Sequence, residues 1–258
     1  MPFTELLSVT STNIYAADKL KANLAAHGAA FFAQHQTAGK GQRGKQWNDE
    51  PGRNIMLSII LDTSFLSRLK QFPFNAMIAI SVHEFFSTYA GDETKIKWPN
   101  DLYWRDRKAG GILIESIINS RSSSDNNESS MNSEQKTATW KYAIVGIGIN
   151  INQTKFSADL PNPVSLKQIT GKEFDSVCLA KELCNLIDKN YQLLKKGKAK
   201  KIITAYNKHL YKRNETVRLK KKSAAFNCII KSVNENGELI VANAMQESFV
   251  WGEVQWVL

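Results

Sequence analysis

The sequence predicts an α+β fold: a mixed, largely antiparallel sheet with helices packed on it, and a small all-β unit at the C-terminal end. Three observations predict it. Apolar runs at period two recur between Thr94 and Ile151 with short polar turns between them, as in an antiparallel meander. Stretches with apolar residues at helical spacing lie on both sides of that region. From Asn214 onward the pattern changes to short strands and turns, a run of about 45 residues suited to a small barrel that leans on the main domain.

Taken in order, Ser11-Thr12-Asn13 resembles the start of a helix whose apolar residues are Ile14, Ala17, Leu20 and Leu24. The stretch His27 to Gln36 reads as a strand and Thr37 to Asn54 as a long loop. Ile55 to Leu61 is a β-rich run, Phe74 to Ala90 a helix after Pro73, and Thr94 to Trp98 a strand ended by Pro99. Further strands are expected at Leu102 to Trp104, Gly111 to Ile118 and Trp140 to Ile151, with Arg105 to Lys108 as a polar turn. Residues 119–139 are rich in Ser and Asn, bury little apolar surface and are expected to form a flexible hairpin insertion. Two helices follow, Ser176 to Lys195 and Lys200 to Leu210. The terminal strands are Thr216 to Leu219, Phe226 to Val233, Leu239 to Ala242, Ser248 to Val250 and Glu253 to Val257, with Asn236-Gly237 as a hairpin signal.

Composition sets bounds on function. With 34 Lys plus Arg against 24 Asp plus Glu, the net charge of +10 favours an anionic partner. Much of the excess lies in Lys195 to Lys201 and Lys220 to Lys222, which read as solvated runs. No apolar run approaches the roughly 20 residues of a membrane-spanning helix, and Met1 to Thr10 has neither a basic region nor a cleavage site, so a cytoplasmic address without membrane contact is expected. Cys178, Cys184 and Cys228 form no CxxC pair and read as buried thiols, and the four histidines lack metal-ligand spacing.

Three segments carry chemistry. Gly39-Lys40-Gly41-Gln42-Arg43-Gly44-Lys45-Gln46-Trp47 combines three glycines with three cations, a composition for an anion-binding loop or for a solvated basic turn. It satisfies the GxxxxGK spacing of a P-loop. However, Gln46 stands where that motif needs Ser or Thr, and the loop leads into a strand instead of a helix. The second segment is Lys97-Trp98-Pro99-Asn100-Asp101 followed by Lys108-Ala109-Gly110-Gly111-Ile112-Leu113-Ile114-Glu115, which reads either as Lys108 projecting from a strand start beside two glycines that permit close ligand approach or as a hairpin with an exposed Lys. In the third, Gly146-Ile147-Gly148-Ile149-Asn150-Ile151-Asn152, the period-two alternation leaves one side bare, for a ligand or for a closely packed helix.

In this order and combination the segments resemble the biotin protein ligase family, from Ser11 to Gly252-Glu253-Val254-Gln255-Trp256-Val257. The resemblance implies a class II synthetase-like catalytic domain over 1–212 and an SH3-like β-barrel over 213–258. It implies an enzyme that makes biotinyl-5'-AMP from biotin and ATP with Mg2+. The biotinyl group then passes to a lysine of a biotin carboxyl carrier protein domain of a biotin-dependent carboxylase.

By resemblance, Ser11, Thr12, Asn13, Gln36, Lys40, Gly41, Gln42 and Lys108 bind biotin. Gly39, Arg43, Gly44, Lys45, Trp47, Asn150 and Asn152 bind ATP or the adenylate, Lys108, Arg43 and Lys45 are catalytic, and Asn100 or Asp101 helps to position the metal. Where the family often has Gly-Arg-Gly-Arg-Arg-Gly, this chain has Lys40 and Gln42, so one positive charge is missing. Some members carry an N-terminal helix-turn-helix. With the Ser-Thr-Asn segment starting at Ser11, a monofunctional type with no DNA role is expected, as a monomer or weak homodimer. Two other readings stay open, a lipoate protein ligase and a basic nucleic-acid-binding module.

Overall fold

The computed structural model describes residues 1–66, 71–119, 139–158, 160–243 and 245–257. The expected insertion at 119–139 lies, apart from its two end residues, outside the described residues. The elements in chain order are β1 (Phe3–Leu6), α1 (Thr12–Lys21), β2 (Ala30–Ala33), β3 (Ile55–Asp62), α2 (Gln71–Ala90), β4 (Thr94–Lys97), β5 (Asp101–Trp104), β6 (Arg107–Asn119) and β7 (Thr139–Ile149). They continue with α3 (Leu166–Thr170), α4 (Ser176–Lys195), α5 (Ala199–Lys208), β8 (Thr216–Lys221), β9 (Ala224–Val233), β10 (Leu239–Ala242), β11 (Gln246–Phe249) and β12 (Gln255–Trp256).

The first seven strands form one sheet in the order β1-β2-β3-β7-β6-β5-β4. Its pairings are antiparallel except β1 with β2, which is parallel. The fold is therefore mixed α+β, as expected. Side chains alternate across a pleated sheet, so β3 serves two faces. Ile55, Leu57, Ile59 and Leu61 join the main core beneath the helices, whereas Ile60 joins a smaller cluster with Ala16 of α1. On the helix side α2 packs against α4, α5 and the β4–β5 edge. Its sequence is apolar nearly all round, as a helix covered on every side must be, and Phe74, Phe85 and Phe86 are fully buried. Each such ring contributes roughly 2–3 kcal/mol by leaving water.

The last five strands form a second, antiparallel sheet in the order β11-β10-β9-β8-β12. It is pinned to the first unit by polar contacts across long sequence distances. Trp98 Nε1 donates to the Gly237 carbonyl at 2.9 Å. The Asn207 amide group donates to Val233 O at 2.8 Å and accepts from Val233 N at 2.6 Å.

The structure departs from the sequence reading in several places. β1 and α3 were not expected; β1 is a four-residue strand at the sheet edge and α3 a five-residue helix. Pro73 lies inside the first turn of α2, where its missing N–H would have no helical partner anyway. The turn after β5 is only Arg105-Asp106, which places Lys108 within β6. Cys184 and Cys228 are buried, but Cys178 is exposed. Among the described residues no helix is long and apolar enough to cross a membrane.

Candidate active site

A cavity of about 670 Å³ opens over the face of the large sheet that carries α1. Strand register determines what lines its floor. Ser58 of β3 pairs with Gly146 of β7, Gly148 pairs with Gly111 of β6, and Gly111 pairs with Asp101 of β5. Paired residues share a face, so Gly146, Gly148, Gly111 and Asp101 line the floor on the cavity side, with Ser58 buried on the same face of the sheet. Asp101 in turn pairs with Lys97 of β4. Lys108 would point the wrong way in a regular strand, being three residues before Gly111. However, the pairing shifts between Leu102 and Tyr103, so that Ala109 is an extra residue and Lys108 stands opposite Tyr103. This bulge turns the Lys108 side chain onto the cavity face. There its stem crosses Gly111, where a methyl group would touch it, and its ammonium pairs with Asp101 Oδ1 at 2.7 Å.

One end of the cavity is polar and uncharged apart from Glu115. Gln36 Oε1 accepts from Thr12 N at 2.8 Å and from Thr12 Oγ1 at 3.1 Å, which closes the start of α1 from outside the helix. The buried Ser58 hydroxyl donates to Asn13 Oδ1 at 2.6 Å and lies 2.7 Å from Thr12 Oγ1. Asn13 Nδ2 donates to Glu115 Oε2 at 2.7 Å. Gly146 leaves the space that the Asn13 amide occupies. Each side chain is thereby fixed in one orientation, as a site that recognises a ligand by its donors and acceptors requires.

The glycine loop folds over the floor. Gly41 N donates to Lys45 O at 2.7 Å, Trp47 N to Gly39 O at 2.9 Å, and a short 3-10 turn spans Gln42–Gly44. Trp47 lays its indole on Gly148, in the volume a Cβ there would need. Gln42 Nε2 donates to the Ile112 carbonyl at 3.1 Å. The Arg43 guanidinium lies 4.6 Å from the Trp251 ring centre and against Gly252, both in the terminal unit. Arg43, Lys45, Lys97 and Lys108 make this end of the cavity cationic. Burial, with repulsion from Lys108 and Lys45 added, lowers the Lys97 ammonium to about 8 against the opposing pull of Asp101.

Of the residues expected from sequence, Ser11, Thr12, Asn13, Gln36, Lys40, Gly41, Gln42, Arg43, Lys45, Trp47, Asp101, Lys108 and Asn150 line this one cavity. Four do not. Gly39 is buried within the loop against the Trp47 carbonyl, and Gly44 has open space around it. Asn152 uses both ends of its amide on Phe174, donating to its carbonyl at 2.7 Å and accepting from its N–H at 3.0 Å. Asn100 donates to the Ile112 carbonyl. At the expected metal position the Asp101 carboxylate pairs with Lys108, and the described residues contain no group of three or more His, Cys, Asp and Glu able to hold a metal.

Sequence reading assigned nothing to Ser58, Glu115, Lys97, Tyr103 or the terminal Trp251 and Trp256. Ser58 had left a signal, as a lone hydroxyl inside the apolar run Ile55 to Leu61.

Fold and site together define an α+β domain with an elongated cavity, neutral and hydrogen-bonding at one end and cationic at the other. Residues 4–125 match the Biotin/lipoate A/B protein ligase family. The bifunctional ligase/repressor BirA of Bacillus spizizenii is 30% identical over 190 residues, which is 71% of this chain and 52% of that protein. A biotin--[acetyl-CoA-carboxylase] ligase of Mycobacterium tuberculosis is 26% identical over 54% of this chain and 45% of its own length. The chain thus spans about half the length of these relatives. The biotin protein ligase of Aquifex aeolicus, solved in complex with biotin and ATP, superposes with a TM-score of 0.77 over 98% of this chain and 97% of that one. At 23% identity that likeness establishes the fold.

Proposed function

We propose that the chain is an ATP-dependent biotin protein ligase, which forms biotinyl-5'-AMP and passes the biotinyl group to a lysine of a biotin carboxyl carrier protein domain. One observation carries the reading. Across the strand order β3-β7-β6-β5-β4, the cavity face runs from the neutral Ser58–Asn13 network to caged Lys97, with Lys108 between them over Gly111. A neutral ureido ring suits the first end and a phosphate chain the second. Their junction falls at Lys108.

On this reading the biotin carboxylate attacks the α-phosphorus of ATP, and the bond to the departing pyrophosphate breaks. Two anions meet in that step, and Lys108, Arg43 and Lys45 supply the compensating charge. In the second step the neutral amine of the carrier lysine attacks the acyl carbon, AMP leaves with the bonding electron pair, and the new amide nitrogen gives up a proton. Among the described residues no cluster of ligands holds a metal, so Mg2+ would arrive with ATP, where it would offset phosphate charge.

The net charge of +10 suits an acidic carrier domain. The three free cysteines suit a reducing, cytoplasmic setting. The division at 212/213 and an SH3-like barrel over 213–258 are supported by the separate five-stranded sheet.

The test is pyrophosphate exchange into ATP. Exchange should depend on biotin and not on lipoate, and Lys108→Ala should lower it by roughly a hundred-fold or more. Exchange driven by lipoate alone, or none with either acid, would overturn the assignment.

A further inference from the structure

Lys97 marks the phosphate end of the cavity in the reading above but is given no specific contact there, and it is an unusual side chain. It is only 6% exposed, and it lies on the cavity face in register with Asp101. Three rings surround its ammonium, with centres 4.6 Å away for Tyr103, 5.1 Å for Trp256 and 5.9 Å for Tyr211. They come from β5, from β12 of the terminal sheet and from the segment after α5. Lys97 Nζ donates to the Tyr103 hydroxyl at 3.1 Å. Among the described residues it has no ion pair, and the carboxylate of its register partner Asp101 is held by Lys108.

A structural lysine buries its stem and sends its ammonium to water or to a carboxylate. Lys97 does neither. Ring faces attract the cation but do not neutralise it, and besides burial the charged groups that act on it are Asp101, which attracts it most strongly, and Lys108 and Lys45, which repel it. Holding a buried cation beside other cations is unfavourable unless an anion arrives to relieve it.

We propose that Lys97, aimed by the cage of Tyr103, Tyr211 and Trp256, binds the β- and γ-phosphates of ATP and the pyrophosphate that they become. The inference rests on the reading of the cavity as an ATP site. If the acid and the α-phosphate meet at Lys108, the leaving group lies beyond it from the Ser58–Asn13 end, which is the β4 side where Lys97 stands. The Tyr103 hydroxyl accepts from Lys97, so its own hydrogen is free to reach a phosphate oxygen. The terminal sheet would then complete the phosphate end of the site through Trp256.

The full chain is tested as wild type, Lys97→Met and Lys97→Arg. Methionine keeps a long stem among the rings and removes the charge, so its melting temperature should not fall. Calorimetry with inorganic pyrophosphate alone should show Lys97→Met binding roughly ten-fold or more weakly than wild type. Its KM for ATP in biotin-dependent exchange should rise similarly, with the Kd for biotin changed by less than about two-fold and Lys97→Arg recovering most of the loss. Wild-type affinity for pyrophosphate should weaken above about pH 8, while that of Lys97→Met stays flat.

Unchanged pyrophosphate binding in Lys97→Met overturns the proposal, as does an equal loss for biotin and pyrophosphate, which marks a structural role. Wild type that binds pyrophosphate through Lys97 but shows no biotin-dependent exchange would sink the ligase reading alone.

Discussion

Ser11 occupies the N-cap position of α1 with extended dihedrals, but its side chain makes no capping bond there. Gln36 supplies that acceptor from 24 residues away. The helix start was legible in Ser-Thr-Asn, whereas its partner was not, because nothing in local sequence links two positions that meet only when β2 lies beside α1. Gln36→Ala should cost about 1 kcal/mol of stability and weaken biotin binding, read by urea unfolding and calorimetry.

Gln42 was legible as a missing charge, and the structure spends its amide on the Ile112 carbonyl. On the proposed reading, Gln42→Arg should slow release of biotinyl-adenylate by roughly five-fold, since a guanidinium adds a charge-assisted bond to phosphate; an unchanged rate in a chase experiment would refute this. His83 gave no sequence signal at all. It is buried in α2, its Nε2 lies 3.0 Å from the Thr94 carbonyl and so carries the donated proton, and its ring lies on His209 with centres 4.1 Å apart. Burial, then repulsion from His209, lowers its pKa to about 4 from 6.5.

The folded protein therefore holds His83 neutral where the unfolded chain would protonate it. Its contribution is complete above pH 6.5 and is lost as pH falls toward about 4, a change of up to roughly 3 kcal/mol. His83→Gln should flatten the urea midpoint across that window.

Among elements, β7 was read correctly as a strand with one side bare, but not what fills that side. Asn13 sits against Gly146 and Trp47 against Gly148, so neighbouring glycines serve opposite ends of the cavity. Gly146→Ala should displace Asn13 from Ser58 and Glu115 and, on the proposed reading, raise the KM for biotin roughly ten-fold. Gly148→Ala should dislodge Trp47 and act mainly on the KM for ATP. Equal effects of both variants on both substrates in steady-state kinetics would count against a two-ended cavity.

The bulge at Ala109 was beyond sequence reading. An extra residue changes the face of Lys108 without changing the composition of Lys-Ala-Gly-Gly. β1 escaped for a different reason. It is short, lies at the edge with two of its four residues exposed, and takes its register from β2.

On the scale of the whole molecule, the terminal strands could be recognised from their turns, but their docking could not. Trp98 and Gly237 are 139 residues apart, and neither is distinctive until the two units meet. Those contacts make the two sheets one cooperative body. Calorimetric unfolding should give a single transition with a calorimetric to van't Hoff enthalpy ratio of about 1. Asn207→Ala, which removes both bonds to Val233, should cost about 1–3 kcal/mol, and two resolved transitions in the wild type would contradict this view.

Trp251 and Trp256 reach back to Arg43 and Lys97 from a part of the chain made long after Thr12 and Gln36. Synthesis therefore supplies the residues of the cavity's polar end long before those that complete its cationic end. On the proposed reading, a reactive anhydride would appear only once synthesis had passed Trp256 and the two units had folded together.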